Sequence, residues 1–594
     1  MQKLIFSALL LLMLTVVGLW FFASTAPKKA TLPPVQQVEG SLADHSDLFK
    51  KSVQRIGTNV YAAIGYGLAN SIMIVGQDGV IIVDTMTTNE EAACVLAEFR
   101  RITDKPVKAI IYTHNHADHV FGAEVFARGA SPEVYAHTTT ESLVMRIVTE
   151  LRPIIGARSL RMFGSRLSEE QLVNAGIGPH LKLLPDSTLG FVPPTITFEE
   201  ELNARVAGVT FSLIHAPGET DDQIYVWLPD ERILICGDNF YWTFPNLYTI
   251  RGTPFRSLKQ WRRSLIRARE LNPEHLVPCH TRPLSGAAGI REILTHYADA
   301  IGYVHDQAIR GINMGLTPDE LAETIHLPQH LAAAPYLHPF YGKVSWSVRA
   351  MFSGNLGWFD GDAANLQPLT RRERAAMIAD LAGGVEKLLT RARQYAMEKN
   401  SQAALELTGH ILRLDPQQQA ARDLRVKLLT ALAEREENPN ARNYYLSEAL
   451  EITRCESLKQ GNVASAESLH RFPLEYFMES LCVNLDPIAS AEVDQKVGLL
   501  FADAGRAFLI HVRFGVAEIN ERAPDTLRTE DVSILVEADS RVWREMLAGY
   551  GNPLKILAGY AYPKGNMVSF GRFMKLFQPG RMKLAYEPLS ALKE

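Results

Sequence analysis

The chain has 594 residues, 61 Lys and Arg against 66 Asp and Glu, and a formal charge of -5. That length calls for several cores. Nearly balanced charge with no long basic run argues against a nucleic-acid partner, and five cysteines with no CxxC pair exclude a disulfide framework. Lys3 is the only charge before Lys28, and residues 4–22 are almost wholly apolar, followed by "ASTA" at 23–26. Residues 1–30 therefore read as a signal peptide or a signal anchor, and they predict a periplasmic or secreted body, anchored to the membrane if 4–22 is retained. Residues 31–48 read as a linker. From about 45 to 288 short β-rich runs alternate with helical patterns, the signature of a layered α/β domain. From 289 to 455 the spacing turns helical, with an incomplete pairing of repeat helices near Asp415-Pro416. Within it "SGNLGWFDGDAANL" is too apolar for a free linker and predicts a packed segment. From 465 to 594 the runs Phe508–Val516 and Val532–Val536 alternate as strands with one apolar face, and "SRVWREMLAGY" reads as a helix. This last region is predicted to be a small α+β domain.

The stretch "AIIYTHNHADHVFG" at 109–122 places His114, His116, Asp118 and His119 within six positions. Imidazoles and a carboxylate are costly to bury and pack less well than Leu or Phe. The run Ala109–Tyr112 reads as a buried strand, and His114 and His116, two apart at its end, are expected to point the same way. Two ligands facing one way and two just beyond suit a pair of metal ions. Three further strand ends carry ligand-type residues: Glu219 after "LIHAPG", Asp238 after "RILICG", and His280 in "PCH". Such hard or borderline ligands fit zinc or a similar ion. Cys236 and Cys279, at strand positions, are expected to pack inward.

"THNHADH", "APGET", "CGDN" and "PCH" together resemble the metallo-β-lactamase superfamily. Glu219, standing where most of that superfamily has His, is similar to the alkylsulfatase branch, as is "GDNFYWTFPNLYTIRGTP". The branch's usual "TEAPAE" is "ETDDQ" here, and its bridging carboxylate, commonly Glu, is Asp238. The resemblance implies an αββα sandwich over 45–288, an all-α dimerisation domain over 289–455 and a small sterol-carrier-like α+β domain over 465–594. It implies two zinc ions. His114, His116 and Glu219 would hold one, Asp118, His119 and His280 the other, with Asp238 bridging. His215, before the Pro-Gly turn, would be no ligand. Arg251 would grip a sulfate head with Asn246 as a neutral donor, Arg256 would assist the leaving oxygen, and the C-terminal domain would offer the alkyl tail a dry surface. The activity implied is hydrolysis of alkyl sulfate esters by a homodimer. The rival readings are cleavage of a phosphoester, lactone or thioester by the same fold, or an exported lipid- or detergent-binding protein with a vestigial metal site.

Overall fold

The computed structural model describes residues 41–181, 187–454 and 466–577. The apolar span at 4–22 lies outside them, and among the described residues no helix is long and apolar enough to cross a membrane. Two sheets lie face to face. The first has seven strands in sequence order: β1 (Ser52–Ile56), β2 (Val60–Ile64), β3 (Ser71–Val75), β4 (Val80–Val83), β5 (Val107–Ile111), β6 (Glu133–His137) and β7 (Ile196–Phe198). The second has six: β8 (Glu201–Val206), β9 (Val209–His215), β10 (Ile224–Leu228), β11 (Ile233–Gly237), β12 (His275–Pro278) and β13 (Leu284–Ser285), ordered β13-β12-β11-β10-β9-β8. Strands β4 to β7 run parallel, and β4 is buried along its whole length. A strand covered on both faces needs apolar residues throughout, which is why "VIIV" does not alternate. Ile81, Ile111, Phe211 and Ile235 belong to the core between the sheets. Helices Asn89–Arg100 and Leu258–Glu270 cover the outer faces. Thr88 and Ser257 cap them by accepting from the backbone N–H of Glu91 and Gln260.

The region expected to be a linker is structured from Ser41, where two helical turns bury Leu42 and Phe49. Helix Thr140–Arg146 continues through a π-helical turn, Ile147–Leu151, into helix Arg152–Met162. Pro153, second in the last helix, has no N–H to donate back to Thr149, which accounts for the wide turn.

Beyond the sandwich, a 27-residue helix (Ala287–Asn313) lies against Leu258–Glu270, and eight shorter α-helices run from Pro318–Thr324 to Pro439–Arg454. The last returns to the sandwich and packs on Arg152–Met162. There Glu451 takes two hydrogen bonds from the buried Arg161, Nε–Oε2 2.9 Å and Nη2–Oε1 2.8 Å. The segment expected to pack, around "GWFDG", is instead exposed within its own chain, Trp358 by 72%.

The C-terminal region forms a five-stranded sheet, ordered β16-β15-β14-β17-β18: β14 (Asp494–Phe501), β15 (Arg506–Arg513), β16 (Val516–Arg522), β17 (Ile534–Glu537) and β18 (Ala561–Lys564). The single run expected from Phe508 to Val516 breaks into a hairpin at Phe514-Gly515, both with positive φ. Its apolar face is not single either. Ile510 and Trp543 share one core, while Leu509 joins Leu527 and Val532 in a second on the opposite face. The first core holds Trp543, Phe570 and Phe573. Leu469, Phe472 and Phe477 fasten the region to the outer side of the first sheet.

Candidate metal centre

All seven metal-ligand candidates stand at one rim of the sandwich, beyond the ends of its strands. His114 and His116 lie beyond the end of β5, not on it, and His116 precedes a short helical turn, Ala117–Val120, that carries Asp118 and His119. The two rings therefore do not present the same atom. His114 offers Nε2 and His116 offers Nδ1, 2.8 Å apart. The second sheet supplies Glu219 after β9, Asp238 after β11 and His280 after β12.

Asp238 sits at the centre. Its Oδ2 lies 3.0 Å from His280 Nε2, 3.5 Å from His119 Nε2 and 3.7 Å from His114 Nε2. Asp118 Oδ2 is 3.5 Å from both His119 Nε2 and His280 Nε2. Ligand atoms bound tetrahedrally at about 2.0–2.1 Å lie about 3.3 Å from one another, so the 3.5–3.7 Å spacings are close to what a metal shell would need. The ligand atoms form two groups, His114–His116–Asp238 and Asp118–His119–His280, with Asp238 next to both. Glu219 Oε1 stands 4.0 Å from His116 Nδ1, at the edge of the first group. His215 is outside the centre: its Nε2 meets the Asp221 carbonyl at 2.7 Å and its ring stacks on His137.

The donor set fits divalent cations. His119 Nε2, Asp238 Oδ1 and Glu219 Oε2 are buried with no hydrogen-bond partner among the described residues, which is costly unless something cationic meets them. Burial and the neighbouring His119 lower His114 to about 3, and burial with Arg251 beside it holds His116 well below the usual histidine range. Both rings are thus neutral, as ligands must be. Burial opposes charge on Asp118 and Asp238, yet the surrounding imidazoles hold Asp118 at about 2 and Asp238 well below the usual carboxylate range. Burial pushes Glu219 up to about 7 against the pull of Arg256.

The ring nitrogens turned away from the centre are held by the protein, as metal-binding histidines require. His280 Nδ1 meets the Leu68 carbonyl at 2.9 Å, and His114 Nδ1 meets Thr113 Oγ1 at 3.0 Å. His119 Nδ1 meets Asp84 Oδ2 at 2.7 Å. Asp84 is the important residue that sequence reasoning missed. It also accepts from the Thr113 backbone N–H at 2.8 Å and hydroxyl at 2.7 Å, fixing the start of the histidine loop. Its signal was present: a carboxylate directly after the buried "VIIV". Cys279 lies in the same small group, where burial keeps its thiol protonated, and Cys236 packs inward likewise.

Arg251, half-buried, places Nη2 at 2.9 Å from His116 Nε2. Asn246 is buried, and neither of its side-chain polar atoms has a partner among the described residues. Arg256, expected beside a leaving group, lines the second cavity, and its Nε and Nη2 have no hydrogen-bond partner among the described residues. It is buried, with Nη1 at 3.0 Å from Glu219 Oε1 and also donating to the Asn246 carbonyl, so it orients Glu219 and the Asn246 loop.

A cavity of about 130 Å³ opens from the cluster. His116, Asp118, Asp238 and Arg251 form its polar end, and Phe121, Val148, Ile155 and Phe163 are among its apolar walls. The apolar surface expected from the C-terminal domain comes here chiefly from the catalytic domain's own residues 144–163, with Phe472 as the C-terminal contribution. A second cavity of about 240 Å³ shares His116, Ile147, Ile155 and Arg251 with the first and runs past Arg256 to Phe255.

Two facing sheets under outer helices, with carboxylate and imidazole ligands gathered at one rim, define a metallo-β-lactamase-type protein. Residues 64–280 match the family described as metallo-beta-lactamase superfamily, and residues 317–454 match alkyl sulfatase dimerisation. The chain is 36% identical over 530 residues to a linear primary-alkylsulfatase of a Pseudomonas species, covering 85% of this chain and 98% of that one. It is 30% identical over 451 residues to the alkyl/aryl-sulfatase BDS1 of Saccharomyces cerevisiae, covering 73% and 68%. The solved structure of the stereoselective inverting sec-alkylsulfatase Pisa1 from Pseudomonas sp. superposes with a TM-score of 0.82 over 93% of this chain and 92% of that one, at 22% identity. This chain belongs to the alkylsulfatase family of the metallo-β-lactamase superfamily.

Proposed function

We propose that this protein is an exported, homodimeric hydrolase that cleaves alkyl sulfate esters to an alcohol and inorganic sulfate with two zinc ions. Family membership and the leader's composition support the dimer and the export. The observation that carries the substrate is the cavity: Arg251 and the ligand cluster stand at one end of an otherwise apolar space. An alkyl sulfate has the same polarity, one anionic head on an apolar tail.

His114, His116 and Glu219 would hold one ion and Asp118, His119 and His280 the other, with Asp238 shared. Two divalent ions held there would supply Lewis acidity and lower the pKa of a water toward neutral pH. The remaining work falls to this chain's side chains. Asp84 and the Leu68 carbonyl fix the rings of His119 and His280. A neutral His116 that offers Nδ1 to an ion keeps its proton on Nε2, so that nitrogen no longer accepts from Arg251. The guanidinium is then available to an anionic head, which it grips with two parallel N–H donors. Asn246 is a neutral donor for the same head. The apolar walls take the tail and limit water.

The test is the product. Purified protein is given dodecyl sulfate, a phosphodiester, a lactone and a thioester under one set of conditions. Inorganic sulfate from dodecyl sulfate, in excess over turnover of the others, is expected. Preferential cleavage of any of the other three would replace this reading.

A further inference from the structure

The segment from the end of helix Val344–Leu356 to Thr370 stands apart from the rest of the chain. Leu356, Trp358, Leu366 and Leu369 are exposed, Leu356 by 56%. Single exposed apolar side chains are ordinary, but four large ones within fourteen residues make a patch that a free monomer rarely carries. The segment is nonetheless built, not slack. Asp362 Oδ1 accepts from the Ala364 N–H at 2.9 Å, and Asn365 Nδ2 donates to Asp360 Oδ2 at 2.7 Å. A preformed arm with its apolar residues outward loses little entropy on docking.

The root of this arm touches the active-site rim. Phe255, which lines the second cavity beside Arg251 and Arg256, is 43% exposed and packs on Gly354 so closely that a Cβ there would lie 2.0 Å from its ring. Leu356 follows two residues later on the same helix. Whatever covers the arm therefore borders the mouth of that cavity.

Resting on the homodimer proposed above, we propose that the second copy of this chain seats on the 354–369 arm and, in doing so, completes the Phe255 side of the active-site mouth. Two observations select a second copy over other occupants. The arm lies within 317–454, the region matching alkyl sulfatase dimerisation. Its charges are also self-complementary. Asp360 and Asp362 precede Arg371 and Arg374, and no ion pair to Asp362, Arg371 or Arg374 is found among the described residues. A two-fold interface sets such a patch against itself, so acid can meet base across it.

The test uses the full chain. Light scattering at micromolar concentration is run on wild type, Trp358→Asp and, as a second variant, Leu369→Asp. Both positions are exposed, and circular dichroism checks that each variant keeps its fold. Phe255→Cys is then alkylated with iodoacetamide, alone and combined with Trp358→Asp, and the modified peptide is followed by mass so that the exposed Cys94 and Cys482 do not contribute. A wild-type dimer, monomeric Trp358→Asp and Leu369→Asp, and alkylation of Cys at 255 slowed roughly tenfold in the dimer are expected. A monomeric wild type, or variants that remain dimeric, would overturn the docking surface. A lost dimer with unchanged alkylation would overturn the shared mouth. Quenching of Trp358 fluorescence by nonionic detergent micelles, in a protein that stays monomeric, would assign the arm to the amphiphile surface instead. None of these readouts involves turnover, so failure of sulfate ester hydrolysis and failure of this interface are distinguishable.

Discussion

Asp84 holds the histidine loop from behind, and removing its carboxylate separates the loop's folding from its chemistry. Three buried donors end on it: the Thr113 N–H, the Thr113 hydroxyl and His119 Nδ1–H. In Asp84→Ala the hydroxyl is free to rotate, but the Thr113 N–H and His119 Nδ1–H are fixed in direction, which leaves two buried donors unmet. Each costs about 1–3 kcal/mol. Residue 84 also has φ +57, a conformation that aspartate tolerates better than alanine, adding about 1 kcal/mol. The metal-free variant should therefore lose about 3–7 kcal/mol of stability in urea unfolding. Asp84→Asn keeps an acceptor and should lose less stability, but it removes the negative charge behind His119. Zinc affinity, read by chelator competition, should then fall about 10- to 100-fold. If metal-free Asp84→Ala unfolds within about 0.5 kcal/mol of wild type, and Asp84→Asn binds zinc as wild type does, the positioning role is refuted.

Three further outcomes are expected. Glu451→Ala removes the carboxylate that neutralises the buried Arg161 between the sandwich and the last long helix and should cost about 3–5 kcal/mol in urea unfolding, while the double variant Arg161→Met/Glu451→Met should recover most of it; equal losses in the two would contradict this. Burial pushes Asp222 from 3.8 up to about 6, so folding is favoured while it is protonated and loses about 3 kcal/mol as pH rises from 3.8 through 6; Asp222→Asn lacks that loss, and a wild-type-to-variant stability difference that does not change with pH would refute it. Arg251→Ala should keep its metal while kcat/KM for dodecyl sulfate falls roughly 30- to 1000-fold, the worth of about 2–4 kcal/mol for a charge-assisted fork, with Arg251→Lys recovering part; unchanged turnover would remove Arg251 from the substrate head.

How much was legible in the sequence follows from how local each feature is. The seven ligand candidates were readable because their residue types are costly to place without a purpose, and each follows a strand-like run. Glu219 against His215 was readable from the Pro-Gly turn between them, and the structure keeps His215 out of the centre. The atom that each ring offers was not readable. His114 and His116 leave the strand before they reach the centre, so period-two reasoning did not apply. Asp84 was overlooked because one aspartate after a strand also fits a turn, and its partners lie 29 and 35 residues away. The Leu68 carbonyl has no side-chain signal at all. In the C-terminal domain, alternation suggested one apolar face, but Leu527 and Val532 cover the other by tertiary contacts that no local period encodes. Arg256 looked like a free cation in its loop, and only the fold brings Glu219 against it.

Two metal ions and sulfate ester hydrolysis should belong to one site, and a zinc titration tests this directly. Metal-free protein is titrated with zinc while bound metal and inorganic sulfate released from dodecyl sulfate are measured on the same sample. Sulfate release should rise with zinc to a plateau at two ions per chain and disappear on chelation. Full sulfate release from metal-free protein, or two bound zinc ions with no sulfate released, would contradict it.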